Sequence, residues 1–360
     1  MKTTATGLAK ARGAVVRPFE LTVTAVADLS PSLRRVTLGG LALRDFATDA
    51  DGATWDLRIK VIVPSPGRPL PRVEDLLGGS DGRDDASWYQ SWLAMPAELR
   101  GEIRTYTVRE ARLEEAYPEI DIDFVLHVDT APDGTVHTGP AARWALGARP
   151  GDPALVFGPN AASGECSGIE FAPGLAGHVL LAGDETALPA IGGILRDLPS
   201  GMSAQVLIEV PCAEDFQDLS TRADAEVTWL ARGGRAHGEL LAEAVHGVVL
   251  EPFCAPGPNV VARAVAAGEP LDVGPERELM WDTPQYRELF GAGADTAGLD
   301  AAGTDGADAL PLRGVLPFYA WIAGESSMVK GLRRYLVRDC GINRDQVAFM
   351  GYWKQGTPQH

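Results

Sequence analysis

The chain has 360 residues, of which 45% are hydrophobic and 22% are charged, which is typical of a globular protein long enough for two domains. Its formal net charge of −17 argues against nucleic acid as a partner, because binding a phosphate backbone requires a basic surface. No stretch approaches the roughly 20 apolar residues that cross a bilayer, and the chain begins without a signal-peptide core, so we expect a cytoplasmic protein without stable membrane insertion.

The N-terminal part of the sequence is predicted to consist of β-strands. These segments alternate polar and apolar residues or are rich in β-branched ones, and glycine, proline or aspartate separates them. The six predicted strands are residues 19–29, 33–40, 56–64, 102–110, 120–128 and 152–159. Because few helices intervene, we expect a six-stranded antiparallel β-barrel over residues 15–165.

Other segments interrupt this barrel. Residues 65–99 form an insertion rich in proline, glycine and aspartate that ends in a short helix, whose aromatic residues favour local packing over ligand binding. A helix is predicted over 138–148, and the small polar residues of 160–177 are predicted to be a linker. The four widely spaced cysteines are predicted to be reduced, buried thiols and not metal ligands.

From residue 175 to 360 the pattern changes to strands that alternate with helices, which predicts an α/β domain with a parallel sheet. A strand, a turn and a helix occupy 178–199, and a helix over 326–341 is predicted to have Ser326 or Ser327 as N-cap and Gly341 as its stop. The further strands are predicted at 204–211, 226–234, 318–325 and 346–353. Residues 291–310 are of low complexity and are predicted to form a mobile loop.

The stretch RGEIRTYTVREARL, residues 100–113, places four arginines in a predicted strand of an acidic chain. Alternation sends Arg104 and Tyr106 to one face of the strand and Thr105 and Thr107 to the other. One interpretation is that this strand binds an anion. The alternative is an edge strand whose charges are merely solvated.

The predicted helix 138–148 begins with Gly139 and Pro140. Proline is well tolerated at a first helical position, and the N–H groups there can bind phosphate with the helix dipole behind them. The alternative is a capped helix of the core with Trp144 buried.

Together these pieces resemble the siderophore-interacting protein family, which are FAD-containing, NAD(P)H-dependent ferric-siderophore reductases of the ferredoxin-reductase-like superfamily. The resemblance covers most of the chain, and 65–99 and 254–312 match weakly. The matching motifs are RTYTVR (104–109), DFVLHVD (123–129), GPAARWA (139–145), PGDPALVFGP (150–159), LLAGDETALPAIGGIL (180–195), WLARGG (229–234), YAWIAGESSMVKGLRRYLVRDCGI (319–342) and VAFMGYW (347–353).

The resemblance implies that the barrel binds FAD. In the family's pattern Arg104 pairs with the pyrophosphate, Tyr106 stacks on the isoalloxazine, and the Thr107 hydroxyl bonds the flavin near N5. The family further places His127 and Asp129 near FAD and a phosphate loop at Gly139, Ala141 and Ala142. Many members have serine where this chain has Ala142, so one hydroxyl contact to phosphate is missing.

The resemblance also implies that the second domain binds NADPH or NADH as electron donor. Asp184 and Glu185 would repel a pyrophosphate, so Thr186 and the backbone beside it are expected to face the flavin and nicotinamide. Arg232 is either a ligand of the 2′-phosphate of NADPH or a solvated loop arginine. Glu325 ends its strand at the carboxyl edge, where ligands collect, or else stabilises a helix N-terminus.

The implied substrate is an anionic ferric siderophore, and four cations are candidates to hold it, although each is also typical of a surface charge: Lys60, Arg143, Arg338 and Lys354. No side chain is expected to be catalytic, because the flavin carries the chemistry. We expect a monomer. Two alternatives remain: a flavin reductase that passes electrons to a protein such as a ferredoxin, and a siderophore-binding protein that is not an enzyme.

Overall fold

The computed structural model describes residues 14–77, 88–126, 128–130, 136–248, 280–286 and 318–356. The chain forms two compact units, and the boundary between them falls between Ile169 and Glu170. The first unit is built on a closed barrel and the second on a six-stranded sheet. The prediction of a β-barrel followed by an α/β domain is therefore confirmed.

The barrel contains all six strands predicted from the pattern of the N-terminal half. They pair antiparallel in the order β1-β2-β5-β4-β3-β8, and β8 pairs with β1 to close the barrel. A separate pair, β6 and β7, follows β5. The strands of this unit are β1 (Val16–Ser30), β2 (Leu33–Gly39), β3 (Arg58–Val63), β4 (Glu102–Arg112), β5 (Glu119–Val125), β6 (Val128–Thr130), β7 (Val136–Thr138) and β8 (Pro153–Pro159).

The inside of the barrel is filled by the apolar residues that alternate along its strands. Phe19, Ile59, Ile122 and Val156 are fully buried there. Each such side chain contributes about 1.5–3 kcal/mol through burial. The predicted helix of this unit is present as Pro140–Gly147 and adds Ala141 and Ala145 to the same core.

The described parts of the insertion, residues 65–77 and 88–99, pack on the outer face of the barrel. Trp88 stacks on Phe157 of β8 with ring centroids 3.9 Å apart, and Trp92 is buried in the same cluster. The packing interpretation of these aromatic residues is thus confirmed. In chain order the helices of this unit are α1 (Val73–Leu76), α2 (Trp88–Ala94), α3 (Ala97–Arg100) and α4 (Pro140–Gly147).

The second unit has the strand order β11-β10-β9-β13-β14-β12. All neighbours pair parallel except β12, a two-residue strand that pairs antiparallel with β14 and that no sequence pattern predicted. The strands are β9 (His178–Asp184), β10 (Ser203–Val210), β11 (Asp224–Ala231), β12 (Trp281–Asp282), β13 (Phe318–Glu325) and β14 (Val347–Trp353). Every residue of β13 is buried, as expected of a strand covered on both faces.

Helices α5 (Leu188–Asp197), α6 (Glu239–His246) and α7 (Ser326–Arg333) belong to this unit. The predicted N-cap of α7 is wrong. Glu325 is the N-cap, and its carboxylate accepts hydrogen bonds from the N–H groups of Ser327 at 2.6 Å and Met328 at 2.9 Å. The helix continues as a π-helix over Arg334–Asp339 and stops before Gly341, whose φ of 71° is in the left-handed region.

Three further predictions concern membrane-spanning helices, the low-complexity segment and the cysteines, and their outcomes differ. Within the described ranges, no helix has the length and hydropathy needed to cross a bilayer. The low-complexity segment 291–310 lies outside the described residues. Cys166, Cys212 and Cys340 form no disulfide among the described residues but are half-buried, so for these three the prediction of reduced thiols is confirmed and that of buried ones is wrong.

Candidate functional site

Strand β4 carries the arginine-rich stretch and lies between β5 and β3 in the closed barrel. The edge-strand interpretation of this stretch is therefore wrong. Arg112 donates to Asp121 of β5 at 2.8 Å, and Arg109 lies 4.0 Å from Asp123 of the same strand. Arg100 packs over the Trp92 ring, 4.5 Å from its centroid. These three arginines thus contact groups within the barrel unit.

The fourth arginine, Arg104, is buried, with 7% of its surface exposed. Its guanidinium donates to the carbonyl of Ile103 at 2.8 Å and forms an ion pair with the Glu102 carboxylate. Glu102 is 41% exposed, so a diphosphate that approaches from solvent would compete with a partly exposed carboxylate for the guanidinium.

Tyr106 faces the helix-capped side of the barrel. Its ring centroid lies 4.3 Å from that of Phe124, and Phe124 lies 5.4 Å from Trp144 of α4. Trp144 itself is half-buried. Burial raises the pKa of Tyr106, while nearby Arg104 lowers it less, so the phenol is neutral at physiological pH. Strand β4 and helix α4 are thereby joined by one row of aromatic rings.

Thr107 and Lys60 lie on the opposite face of the sheet. In the register of β3 and β4, Lys60 pairs with Thr105 and Arg58 with Thr107. Lys60 is fully buried, and its Nζ donates to the Thr105 Oγ1 at 2.7 Å. Contact with a siderophore would require the groups that cover Lys60 to move.

The N-terminus of α4 has the features of an anion site. Gly139 is the N-cap and has no side chain to cap the helix, and Pro140 occupies the first turn. No described atom beyond its chain neighbours lies within 4 Å of where a Cβ on Gly139 would be. The buried Oγ1 of Thr138 has no hydrogen-bond partner among the described residues. The N–H groups of Ala141 and Ala142 follow directly, and Arg143 is exposed one position later.

These observations fit a flavin dinucleotide. The open space at Gly139, the buried unpartnered hydroxyl of Thr138 and the helix dipole suit a phosphate group. The half-buried Tyr106 ring and the Arg104 guanidinium both lie on β4. The row of aromatic rings Tyr106, Phe124 and Trp144 connects this strand to α4. His127 lies outside the described residues, and of Asp129 only the backbone is described, opposite His137 in the β6–β7 pair.

In the second unit the carboxyl ends of five parallel strands lie at one edge of the sheet. Asp184, at the end of β9, is 1% exposed and accepts hydrogen bonds from Thr186, from the N–H of Glu325 and from the indole of Trp353. Thr186, Glu325 and Lys354 therefore lie together at this edge. Lys354 is exposed and follows Trp353 directly.

Arg232 follows β11 at the same edge but is not solvated. Its guanidinium binds both oxygens of the buried Glu185 carboxylate, at 2.8 and 2.9 Å, and reaches Glu209 at 3.3 Å. Glu209 in turn accepts from the N–H groups of Gly238 and Leu241 at the start of α6. The solvated-loop interpretation of Arg232 is wrong, and binding a 2′-phosphate would require the arginine to leave these carboxylates.

Arg338 does not join this group. It is exposed near the end of the helix that begins at Ser326, roughly 15 Å or more along the axis from the carboxyl edge. Glu325 serves as the cap of α7, as its structural interpretation predicts. Among the described residues, no group of three or more His, Cys, Asp or Glu side chains forms a candidate metal site.

Sequence reasoning missed several residues of these two sites. Thr138 directly precedes the Gly-Pro helix start, and that position is a signal for a phosphate-facing hydroxyl. Glu102 lies two residues before Arg104 on the same face, so alternation alone placed them together. Trp353 and Glu209 carry no local signal, because their partners are distant in sequence.

Two family models match the chain. The model described as siderophore-interacting protein matches residues 176–356, and the model described as siderophore-interacting FAD-binding domain matches residues 22–163. Together they cover the barrel and the α/β unit.

Individual proteins are similar over the same regions. An uncharacterized protein of Mycobacterium tuberculosis is 34% identical over 229 residues, 62% of this chain and 68% of the relative. The ferric vibriobactin reductase ViuB of Vibrio cholerae is 27% identical over 328 residues, 91% of this chain and 86% of the relative. The crystal structure of the siderophore-interacting protein SipS from Aeromonas hydrophila superposes with a TM-score of 0.59 at 25% identity, covering 95% of this chain and 94% of that one. The chain belongs to the siderophore-interacting protein family, and its barrel unit is a siderophore-interacting FAD-binding domain.

Proposed function

We propose that the protein is an oxidoreductase that uses FAD and NAD(P)H to reduce ferric siderophores and so release Fe(II). The observation that carries this proposal is the N-terminus of α4, where Thr138 and Gly139 leave a buried hydroxyl and open space for a phosphate. A relative that aligns with 91% of this chain is named a ferric vibriobactin reductase, which supports the same reaction.

The residues of the barrel unit bind and orient in this proposal. Arg104 would hold the diphosphate by exchanging Glu102 for it, and the N–H groups of Ala141 and Ala142 would face a phosphate oxygen. The Tyr106 ring, packed on Phe124, supplies a flat apolar surface for the flavin. Thr107 lies on the opposite face of β4, so its hydroxyl would face away from a flavin stacked on Tyr106. Bound FAD supplies the chemistry that links a two-electron donor to a one-electron acceptor.

No proton has to be moved by a side chain in this reaction. The neutral Tyr106 phenol adds no charge beside the flavin, because burial raises its pKa. In this proposal the residues of the barrel unit position FAD and set the charge around it, and no side chain acts as an acid or base.

The carboxyl edge of the second sheet is the proposed place for the nicotinamide cofactor, since ligands of open α/β sheets bind there. Thr186 and its backbone are the candidates for contact. Because Arg232 is held by two buried carboxylates, we assign it no 2′-phosphate, and the choice between NADH and NADPH stays open. Arg143 and Lys354 are exposed, so they are retained as candidate ligands of an anionic siderophore. The cytoplasmic location and the monomeric state stay predictions.

The direct test is reduction of ferric chelates by NADH or NADPH, with a chelator that becomes coloured on binding Fe(II). We expect Fe(II) to form with a ferric siderophore and none to form with the matching gallium(III) complex, which has the same shape and charge but accepts no electron. Turnover with a ferredoxin and none with any ferric siderophore would contradict the proposal.

A further inference from the structure

The turn that follows β9 carries two adjacent carboxylates in a fully buried position. Asp184 is 1% exposed and Glu185 is 0% exposed. A buried carboxylate is costly unless it is paired or hydrogen-bonded, so each must have strong partners. Glu185 has Arg232, but in the described part of the chain the groups that donate hydrogen bonds to Asp184 carry no positive charge.

Asp184 accepts hydrogen bonds from the turn after β9 and from the ends of β13 and β14. Its Oδ1 accepts from the Thr186 N–H at 2.9 Å and from the Thr186 Oγ1 at 2.5 Å. Its Oδ2 accepts from the Glu325 N–H at 2.8 Å and from the Trp353 Nε1 at 2.9 Å. One carboxylate thus joins the β9–α5 turn, the β13–α7 junction and the end of β14.

The backbone of β13 is shaped to approach this carboxylate. Gly324 has a φ of 140°, and a Cβ at that position would lie 2.6 Å from Asp184 Oδ2. Only glycine permits this conformation and this close approach. On the other side of β9, Glu185 reaches β11 through Arg232, which also binds Glu209 of β10. The acidic turn therefore ties together the carboxyl ends of all five parallel strands.

We propose that Asp184 is a positioning residue for the nicotinamide cofactor, which fixes the ends of β9, β13 and β14 into the surface where the cofactor binds. The inference rests on the proposed function, because it assumes that NAD(P)H binds at this edge. This positioning role requires the carboxylate of Asp184 to be ionised. Three of the four donors are N–H groups that cannot accept a proton, so protonated Asp184 keeps a full set of bonds only by reversing the one to the Thr186 hydroxyl and weakening another.

The environment places this ionisation near neutral pH. Burial and the neighbouring Glu185 carboxylate raise the pKa of Asp184 to about 7, against hydrogen bonds from Thr186 and Trp353 that lower it. Several other charged or titratable groups lie around it: Glu325 on β13, Glu209 and Arg232 on the β10–β11 side, Lys354 beside Trp353, and His237, whose ring is 4.9 Å from that of Trp353. His237 needs a control because its ring lies against the indole whose resonance is observed.

The first test reads the Asp184–Trp353 bond without any enzyme assay. In the NMR spectrum of the full chain, the Trp353 indole N–H is the resonance that disappears in Trp353→Phe. We expect this resonance to shift with pH with a midpoint near 7. The shift should persist in His237→Gln and be lost in Asp184→Asn. A flat resonance between about pH 5.5 and 8.5, or a titration abolished by His237→Gln, would overturn the role of the carboxylate.

The second test separates positioning from plain stability. We expect Asp184→Asn to raise KM for NAD(P)H about tenfold with a smaller change in kcat, because an amide places donors against donors. Trp353→Phe removes the indole donor to Asp184 but keeps the carboxylate, and should raise KM less. Asp224→Asn makes the same charge change on an exposed residue at the start of β11, the opposite edge of the sheet, and should change neither.

The outcomes distinguish this inference from the proposed function. If Asp184→Asn lowers thermal stability and leaves KM unchanged, Asp184 is only structural and the inference fails. If the wild type oxidises neither NADH nor NADPH, the proposed function fails together with the cofactor part of the inference. The indole titration still decides in that case whether Asp184 fixes the strand ends.

Discussion

The role assigned to Arg232 changes once the partners of its side chain are known. Its guanidinium is 8% exposed and lies between two carboxylates that are fully buried. Breaking such a buried ion pair from one side is strongly destabilising, because it leaves uncompensated charge in a low dielectric. The residue therefore holds the strand ends together in the first place, whatever binds above them.

We expect Arg232→Met to lower the free energy of unfolding by about 3 kcal/mol or more, since it leaves Glu185 and Glu209 without their cation. KM should rise by a similar factor for NADH and for NADPH. Urea denaturation and steady-state kinetics with both nicotinamides measure these effects.

Arg235→Met is the matched control. Arg235 is 47% exposed and pairs with Glu239 and Glu243 on the surface, so its removal should cost less than about 1 kcal/mol. A loss of affinity confined to NADPH, with unchanged stability of Arg232→Met, would restore the 2′-phosphate assignment.

At this scale the sequence predicts residue types better than partners. Arg104 and Tyr106 were placed by the alternation of one strand, which is local information. The solvated-loop alternative for Arg232 was wrong because its partner Glu185 is 47 residues away in the chain and gave no local signal. Glu102 was missed as the partner of Arg104 although it is near in sequence, because a short motif gave the arginine another role.

The two ends of helix α4 have different proposed roles, because only its N-terminus belongs to the candidate phosphate site. Both ends carry a glycine with open space around it: Gly139 at the N-cap and Gly147 in the last turn. Gly139 has a φ of −62°, which any residue adopts, so neither its backbone nor its surroundings require glycine in the protein alone. Glycine at this position leaves the space beside the helix N-terminus open to a ligand.

We expect Gly139→Ala to fold like the wild type and to bind FAD at least about tenfold more weakly, because its Cβ enters the space beside the helix N–H groups. Gly147→Ala makes the same change at the other end of the helix and should leave FAD affinity unchanged, with a slight gain in helix stability. Titration of the apoprotein with FAD, followed by flavin fluorescence, gives both dissociation constants. Equal affinity in the two variants would remove α4 from the cofactor site.

Element types were predictable where one physical signal dominated. The limits of β13 agree with the predicted 318–325 because a strand covered on both faces reads as a continuous apolar run. The N-cap of α7 was predicted to be a serine, the commoner N-cap, although one interpretation of Glu325, the last residue of β13, already placed its carboxylate at this helix N-terminus. Strand β12 is too short to show any period.

For the whole molecule, the order of strands and helices was enough to predict a barrel followed by an α/β unit, because the periodicity changes from one half of the chain to the other. The net charge of −17 was a weaker guide. This negative charge favoured the interpretation that the arginine-rich strand binds an anion. In the structure Arg109 and Arg112 instead pair with carboxylates of β5, which are also present in the sequence. Only the register of β4 against β5 reveals that pairing.

The central claim is that the barrel unit holds a flavin that receives electrons from NAD(P)H and gives them to a ferric siderophore. One anaerobic absorption experiment on the purified full chain tests it most directly. The account predicts flavin bands between roughly 350 and 500 nm that bleach when NAD(P)H is added and return when a ferric siderophore follows. A colourless protein that does not take up FAD, or bands that neither reagent changes, would contradict it.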